Sequence, residues 1–413
     1  MNFDRMRALL LDQAIRGELV PQLVGEGVVA QIGTSLEEVP FEIPESWKWV
    51  PFSSIATLLN GRAYKKTELL EEPTSNGKDN TPILRVGNLF TSDKWYYSDL
   101  TFEDNKYCNP GDLLYAWSAS FGPTIWQGCR SIYHYHIWRV DHNSSYVNKK
   151  WLYFWLLGKT QDLKRSGHGL AMIHITKKGM EQELVALPPL QEQVRIVAKL
   201  EEAFAEIDRA EKAYEELQTL AGVLRGQILQ EAIQGKLVPQ MAEEGVVEQI
   251  GAASEEVPFE IPESWKWVKL KSVFSMQAGK FISASLIQPE GRFPCYGGNG
   301  LRGYVDISNR KGRFPLIGRQ GALCGNVHVV DGEFYATEHA VVVDCGEYGD
   351  PDCVGLFLEA MNLNQYATAT AQPGLSVKKI IELPFPLPPK DEQARIVSRV
   401  KDLMKQVDAL SAR

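Results

Sequence analysis

Residues 10–50 read LLDQAIRGELVPQLVGEGVVAQIGTSLEEVPFEIPESWKWV, and residues 228–268 read ILQEAIQGKLVPQMAEEGVVEQIGAASEEVPFEIPESWKWV. About 29 of 41 aligned positions are identical, at a fixed offset of about 218 residues. A second repeat runs at an offset of about 200. Leu187-Pro188-Pro189, Glu192-Gln193 and Arg195-Ile196-Val197 return as Leu387-Pro388-Pro389, Glu392-Gln393 and Arg395-Ile396-Val397. The stretches between, 51–186 and 269–386, show little likeness to each other. The pattern implies one scaffold used twice to read two different things.

The two offsets carry a topological message. Pro188-Pro189 stop what precedes them, and Val197, Leu200, Phe204, Ile207, Tyr214, Leu217, Ala221, Leu224 and Ile228 follow with helical spacing. The spacing slips near 211–217, which predicts an irregular contact there. Gly235 and Pro239 end the pattern. A helix over about 192–235 would be roughly 65 Å long at 1.5 Å per residue. Its first half is copied at the C-terminus, where Val397, Val400, Met404, Val407 and Leu410 repeat the seam. Its second half is copied at the N-terminus, with Met6, Leu9, Leu10 and Ile15. The expected assembly is a pseudo-twofold, antiparallel two-helix coiled coil: one continuous helix against one made from the two chain ends, with the termini adjacent. Tandem domains with independent terminal helices are the alternative.

At 413 residues the chain can form at least two cores, and 44% hydrophobic with 23% charged residues is the composition of a globular protein. No N-terminal apolar run is present, so no signal peptide is expected, and the longest apolar run, 151–157, is too short to span a membrane. Cys108, Cys129, Cys295, Cys324, Cys345 and Cys353 form no CxxC pair and read as reduced thiols of a cytoplasmic protein. The net charge is −8, but it is segregated. Segments 1–50, 187–268 and 388–413 together carry −11, whereas 51–186 and 269–387 carry +3 and 0. A nucleic-acid reader needs local positive surface and not a positive total, so DNA binding is compatible with this chain.

Both variable stretches contain short β-like runs punctuated by Gly, Asn, Asp and Pro. Residues 81–86, 112–118, 131–140 and 173–176 are expected strands of the first, and 314–318, 327–330 and 340–344 of the second. One helix is expected in each, over 149–160 and 351–362. The fold class is therefore α+β, with two globular domains of mostly antiparallel sheet separated by the helical spacer. Glycine-rich and aromatic clusters recur in both: Gly61-Arg62-Ala63-Tyr64-Lys65-Lys66, Tyr115-Ala116-Trp117-Ser118 and Ser166-Gly167-His168-Gly169, then Tyr296-Gly297-Gly298-Asn299-Gly300-Leu301-Arg302 and Gly318-Arg319-Gln320-Gly321. Glycine lets backbone approach a phosphate or base edge, Arg and Asn/Gln can contact bases bidentately, and Tyr and Trp stack. Ordinary turn chemistry would account for any one of these loops.

His134 and His136 alternate as strand neighbours on one face, as metal ligands could, but no Cys or carboxylate falls at matching spacing, so no metal site is expected. GxSxG, HExxH and GxxxxGK[ST] are absent, and so is the Asn/Asp-Pro-Pro-aromatic tetrapeptide of amino-methyltransferases. No catalytic residue is expected. A His-dependent metal hydrolase or nuclease using His134, His136 and His174 is one rival reading. A coiled-coil scaffold whose β domains bind protein or sugar is another.

The doubled LPPxxEQxRIV at 187–197 and 387–397, the doubled GxLVPQ at 17–22 and 235–240, and the doubled FEIPESWKW at 41–49 and 259–267 resemble the specificity (S) subunits of type I restriction–modification systems. Residues 111–118, 298–304 and 337–340 look like recognition-domain signatures of that family. The resemblance covers essentially the whole chain. It implies an N-terminal helix over 1–22, target recognition domains over 23–186 and 239–386, a central helix over 187–238 and a C-terminal helix over 387–413. Each recognition domain would read one half of a bipartite, asymmetric sequence in double-stranded DNA. The helical frame would bind two modification (methyltransferase) subunits, joined by restriction (translocase/endonuclease) subunits. S-adenosylmethionine, ATP and Mg would belong to those partners, and no cofactor to this chain.

On that resemblance, Arg85, Asn88, Tyr115, Trp117 and Ser118 are the expected readers of the first domain, and Asn299, Arg302, Tyr304, Arg319 and Gln320 of the second. His168 is a further DNA-contact candidate. Lys65, Lys66, Lys177, Lys178, Arg310, Lys311, Arg313, Lys378 and Lys379 are expected at phosphates, which position a protein without specifying sequence.

Overall fold

The computed structural model describes residues 2–30, 39–73, 80–118, 121–166, 176–251, 257–321, 323–368 and 373–411. The chain divides into two compact units, Met1–Ala213 and Tyr214–Arg413.

The first unit begins with helix α1, Phe3–Arg16. The Asn2 side chain caps it by accepting from the Arg5 amide, and Gly17 ends it with φ of 77°. A Cβ at Gly17 would also lie 2.6 Å from the Pro44 ring, so the stop is fixed by backbone and by packing together. Strands β1 (Lys48–Pro51), β2 (Ala56–Asn60), β3 (Thr81–Leu84), β4 (Tyr96–Ser98) and β5 (Tyr107–Cys108) follow. Next come β6 (Leu113–Ala116), β7 (Gly122–Ile125), β8 (Ser131–Tyr133) and β9 (Ile137–His142). Helix α2 (Lys149–Ser166), strand β10 (Leu184–Leu187) and the first part of helix α3 (Leu190–Ile233) complete the unit.

One sheet has the antiparallel order β2-β9-β6-β7, the other the order β4-β3-β8-β5 with β3 and β8 parallel. β1 pairs only with β10, so the variable stretch leaves the frame and returns to it at one place. The core joins Leu11 and Ala14 of α1, Trp151, Leu152 and Trp155 of α2, and Ile196, Val197 and Leu200 of α3. Arg7 bridges to Asp208 at 2.7 Å and Glu211 at 2.5 Å, while Gln22 reaches Glu192, so α1 runs antiparallel to this part of α3.

The second unit takes the remainder of α3 and then β11 (Lys266–Lys269), β12 (Ser275–Ala278), β13 (Phe293–Gly297), β14 (Gly300–Val305) and β15 (Arg310–Lys311). β16 (Phe314–Gly318), β17 (Val327–Val330), β18 (Glu333–Ala336), β19 (Ala340–Asp344), helix α4 (Pro351–Ala360), β20 (Pro384–Leu387) and helix α5 (Lys390–Ser411) follow. Its sheets run β12-β19-β16-β17 and β14-β13-β18-β15, and β11 pairs with β20. Strand for strand this is the topology of the first unit, with the parallel pair β13–β18 standing where β3–β8 stands. Ile228, Ala232 and Ile233 of α3 pack with Phe357 of α4 and with Ile396, Val397 and Val400 of α5. Arg225 bridges to Asp408 at 2.7 Å, the repeat of Arg7–Asp208.

The identical residues of the frame build one polar node twice. In the first unit buried Glu192 accepts from Trp47 Nε1 at 2.9 Å and Gln22 Nε2 at 2.6 Å, and Arg195 pairs with Glu26. In the second, Glu392 accepts from Trp265 at 2.9 Å and Gln240 at 2.6 Å, and Arg395 pairs with Glu244. Gln193 donates to Pro188 and Tyr146 carbonyls while accepting from the Asn148 amide; Gln393 does the same with Pro388, Tyr348 and Asp350. These contacts explain why Trp, Gln, Glu and Arg return at both offsets.

Several expected elements differ. The run over 131–140 is two strands, with His134-Tyr135-His136 forming the turn between β8 and β9. The expected strand over 81–86 stops at Leu84, because Arg85 caps a short helix over Val86–Phe90. Leu224 is exposed where burial along the seam was expected; Arg225 faces Asp408 instead. Residues 173–175 lie outside the described residues, and Thr176 caps a helix over Lys177–Gln182.

Candidate nucleic-acid interface

In the first unit, four loops meet at one end of the two sheets. Gly61 approaches the β8–β9 turn so closely that a Cβ would lie 2.3 Å from the His134 carbonyl oxygen. Arg62 bridges to His134 beside it, and the His134 amide donates to the Leu84 carbonyl at the end of β3. The Trp117 amide, just past β6, donates to the His136 carbonyl at 3.0 Å. The sequence thus places three chain crossings around the His134-Tyr135-His136 turn.

The side chains there form an aromatic and imidazole cluster. Trp117 stands edge-on to His136 at 4.9 Å, stacks on Trp138 at 5.9 Å, and donates its indole N–H to the Tyr135 carbonyl. Tyr64 lies parallel to His134 at 6.5 Å. Burial, His136 and Arg85 push His134 down to about 4, so its imidazole is neutral at physiological pH. Arg85 lies over Tyr96 at 4.4 Å, and its buried Nε has no hydrogen-bond partner among the described residues. Ser118 is half-buried beside Trp117.

Two expected readers of this unit are occupied elsewhere. Tyr115 is fully buried in the core; its hydroxyl sits 3.1 Å from the Thr160 hydroxyl, and burial pushes its phenol up to about 12. It alternates inward on β6, so it supports the site from beneath and touches no ligand. Asn88 accepts from the Arg85 amide and donates to the Lys94 and Ser92 carbonyls, which uses its amide to shape the loop. Lys65, Lys66 and Lys178 are exposed, and Lys177 pairs with Glu181 at 3.6 Å. His168 and His174 lie outside the described residues.

The second unit gathers Asn299, Arg302 and Gln320 with Gly298, Gly321 and His339 around an open concavity of about 330 Å³. Asn326 donates to Asn299 at 3.3 Å across its rim. The Arg319 amide donates to the His339 carbonyl, and its buried Nε has no partner among the described residues. The segment carrying Lys378 and Lys379 starts here: Gly374 bridges to Gln320, and the Leu375 amide donates to the Arg319 carbonyl. Both lysines are exposed.

Tyr304 lies along β14, paired with Pro294 and Gln288, and does not line the concavity. Arg310 donates to the Asn309 carbonyl on β15, and Lys311 pairs with Glu333 at 2.6 Å. Arg313 is held by Asp352 at 2.6 Å and Asp331 at 3.2 Å, so its charge is paired within the unit where α4 begins. Lys401 of α5 also reaches Asp352, which makes this cluster a brace between unit and frame.

Glu338 and His339 were legible as a signature, but His339 was not legible as part of this concavity. Glu338 Oε1 lies 3.2 Å from His339 Nε2, and its buried Oε2 has no partner among the described residues. The missing signal was the β18–β19 turn, which brings residues 337–339 against Arg319. Among the described residues, no group of three or more His, Cys, Asp or Glu is placed to hold a metal ion.

Each of the two α+β units, of one topology, thus carries a half-open cluster of cationic, amide, imidazole or aromatic groups. The chain belongs to the family of the type I restriction modification DNA specificity domain, whose model matches residues 44–219 and 262–413. The EcoprrI specificity subunit of a type I restriction enzyme from Escherichia coli is 48% identical over 133 residues, covering 31% of this chain and 33% of that protein. The EcoBI subunit from the same species is 22% identical over 60% of this chain and 50% of that protein. The matched sequence thus spans about a third to a half of the length of these relatives. The EcoAI subunit, also from Escherichia coli, is 21% identical over 98% of this chain and 90% of that protein.

A chain from a structure addressing complex assembly and conformational transition of the type I R-M system matches with a TM-score of 0.69 at 18% identity, covering 90% of this chain and 94% of that one. The HsdS subunit from Thermoanaerobacter tengcongensis matches with a TM-score of 0.53 at 17% identity, over 91% and 94%. At these identities the likeness shows a shared fold.

Proposed function

We propose that this chain is the noncatalytic, sequence-specific DNA-binding subunit of a type I restriction–modification complex. Each unit reads one half of a bipartite, asymmetric target. Trp117, Ser118 and Arg85 are the leading base readers of the first unit, and Arg302, Arg319, Gln320 and Asn299 of the second. Lys65, Lys66, Lys177, Lys178, Lys378 and Lys379 contact phosphates, and His168 joins them. The observation that carries this reading is the pair of matched scaffolds bearing unlike side chains: Trp117 and Arg319 occupy the same position, each donating its amide to the carbonyl of a turn histidine.

The frame serves as spacer and assembly surface. Residues 1–22, 187–238 and 387–413 form it, with recognition domains over 23–186 and 239–386. Arg7–Asp208 in the first unit and Arg225–Asp408 in the second obey the two sequence offsets, which supports reading these segments as one frame used twice. Two modification subunits dock on this frame, and restriction subunits join them. S-adenosylmethionine, ATP and Mg enter with those partners in the cytoplasm. Among the described residues no helix is long and apolar enough to cross a membrane.

The test is a duplex pull-down of the full chain with and without the methyltransferase subunit, followed by methylome sequencing of cells carrying the intact system. A split, asymmetric methylated motif is expected. Retention of sugar or protein ligands with no duplex preference would favour a scaffold instead.

A further inference from the structure

The two turns at the interface superpose residue for residue in hydrogen bonding. His134 N donates to Leu84 O as Thr337 N donates to Tyr296 O, both at 2.9 Å. Ile137 N donates to His134 O as Ala340 N donates to Thr337 O. Trp117 N donates to His136 O as Arg319 N donates to His339 O, both at 3.0 Å. These bonds align His134 with Thr337, Tyr135 with Glu338, His136 with His339, Trp117 with Arg319, and Ser118 with Gln320. Every aligned pair is unlike except the histidines.

Close packing accounts for some shared residues of this region, whereas His339 is left partly exposed. Gly61 and Gly279 recur because a Cβ on either would run into the carbonyls of the facing turn. His339 is not enclosed in that way: its side chain is 38% exposed and lines the open concavity with Arg302 and Gln320, its Nε2 3.2 Å from Glu338 Oε1. His136 is half-buried against the edge of Trp117, in the same place. Two half-sites that differ in sequence have one thing in common at equivalent positions, the sugar–phosphate backbone.

We infer that His136 and His339 make one equivalent contact each, donating an imidazole N–H to a backbone phosphate of the half-site, while their unlike neighbours read bases. The inference rests on the DNA-reading function proposed above. It separates the interface into a shared anchor and exchangeable readers, with each anchor fixed to its reader by the main-chain bond from Trp117 or Arg319.

The test uses the full chain in its assembled complex, with the target duplex and a panel carrying single base-pair changes. H136A and H339A should each weaken binding to every duplex by the same factor, about three- to ten-fold, with the order of preference unchanged. H136Q and H339Q, which retain a donor, should recover part of the loss. A duplex made neutral by methylphosphonate at the contacted phosphate should weaken the wild type but add nothing to the loss in H339A. A changed preference at any base pair would make the histidine a reader and overturn the inference, as would unchanged affinity. A wild-type complex indifferent to sequence would instead overturn the DNA-reading function itself. Equal melting temperatures for wild type and variants secure the comparison.

Discussion

Glu244 and Glu392 lie in one polar node yet titrate in opposite directions. The hydrogen bond from Arg395 holds Glu244 below the usual carboxylate range, whereas burial lifts Glu392 above it despite its bonds from Trp265 and Gln240. A lowered folded-state value means Glu244 contributes stability above its unfolded value and loses that contribution as pH falls through the folded one. The raised value of Glu392 means its ionised form detracts from stability at neutral pH, and acid relieves that cost. E244Q should therefore lower the melting temperature at pH 7, and the deficit should shrink as pH falls from the ordinary Glu value of about 4.3 through the lowered folded-state value, where the wild-type carboxylate becomes protonated. Thermal denaturation between pH 3 and pH 8 measures this; a deficit independent of pH would refute the assignment. At the interface, Y115F should destabilise the fold by about 0.5–1.5 kcal/mol through loss of its bond to Thr160, leaving base preference intact. R319A and R302A should do the reverse, each costing about 1–3 kcal/mol of binding and relaxing one base position. Competition binding on a panel of duplexes distinguishes the two classes, and unaltered binding by both arginine variants would remove them from the interface.

Among the elements, α3 was the most legible and also instructive where legibility failed. Pro188-Pro189 and Gly235 marked its limits, and Leu200 and Ile207 are buried as the spacing requires. Beyond the slip at 211–217 the seam resumes at buried Ala221 and Ile228 but skips Leu224, which stays in solvent next to Arg225, the partner of Asp408. Periodicity alone cannot distinguish a leucine beside a salt bridge from one beneath a partner. L200A should thus cost about 2–5 kcal/mol, since Leu200 is enclosed by α1 and α2, whereas L224A should stay within about 0.5 kcal/mol. Urea unfolding of both variants checks the contrast, and equal losses would mean the two leucines share one environment. The β8–β9 turn was illegible for a different reason. His134-Tyr135-His136 contains no Gly, Asn or Pro, and its alternation continues that of the flanking strands. Its reversal is imposed by tertiary bonds to Leu84 and Trp117.

Across the whole molecule, the shared topology of the two units was hidden because registers persist while side-chain volumes change. Tyr115 pairs with Trp138 where Ile317 pairs with Val341, and Ile83 stands where Cys295 stands. Each pair fills its own core, so identity disappears while the sheet order survives. The frame kept its sequence because its contacts are polar and geometrically demanding: only an indole N–H and a carboxylate reproduce Trp47–Glu192 and Trp265–Glu392. The same division governs charge. The frame segments 1–50, 187–268 and 388–413 carry −11 and repel a polyanion, so ionic phosphate contacts are expected from cations of the variable stretches 51–186 and 269–387. Several of those cations are already paired, Arg313 with Asp352 and Lys311 with Glu333, which leaves exposed residues such as Lys378 and Lys379 as the proposed phosphate contacts. Each phosphate contact contributes about 0.9 to the dependence of log K on log salt. Replacing both Lys378 and Lys379 with Ala should therefore flatten that slope by close to two and weaken all duplexes alike. R313A should leave the slope unchanged and instead lower the melting temperature. Titrations between 50 and 200 mM salt decide it: an unaltered slope in the double-lysine variant would place the DNA on another face of the second unit.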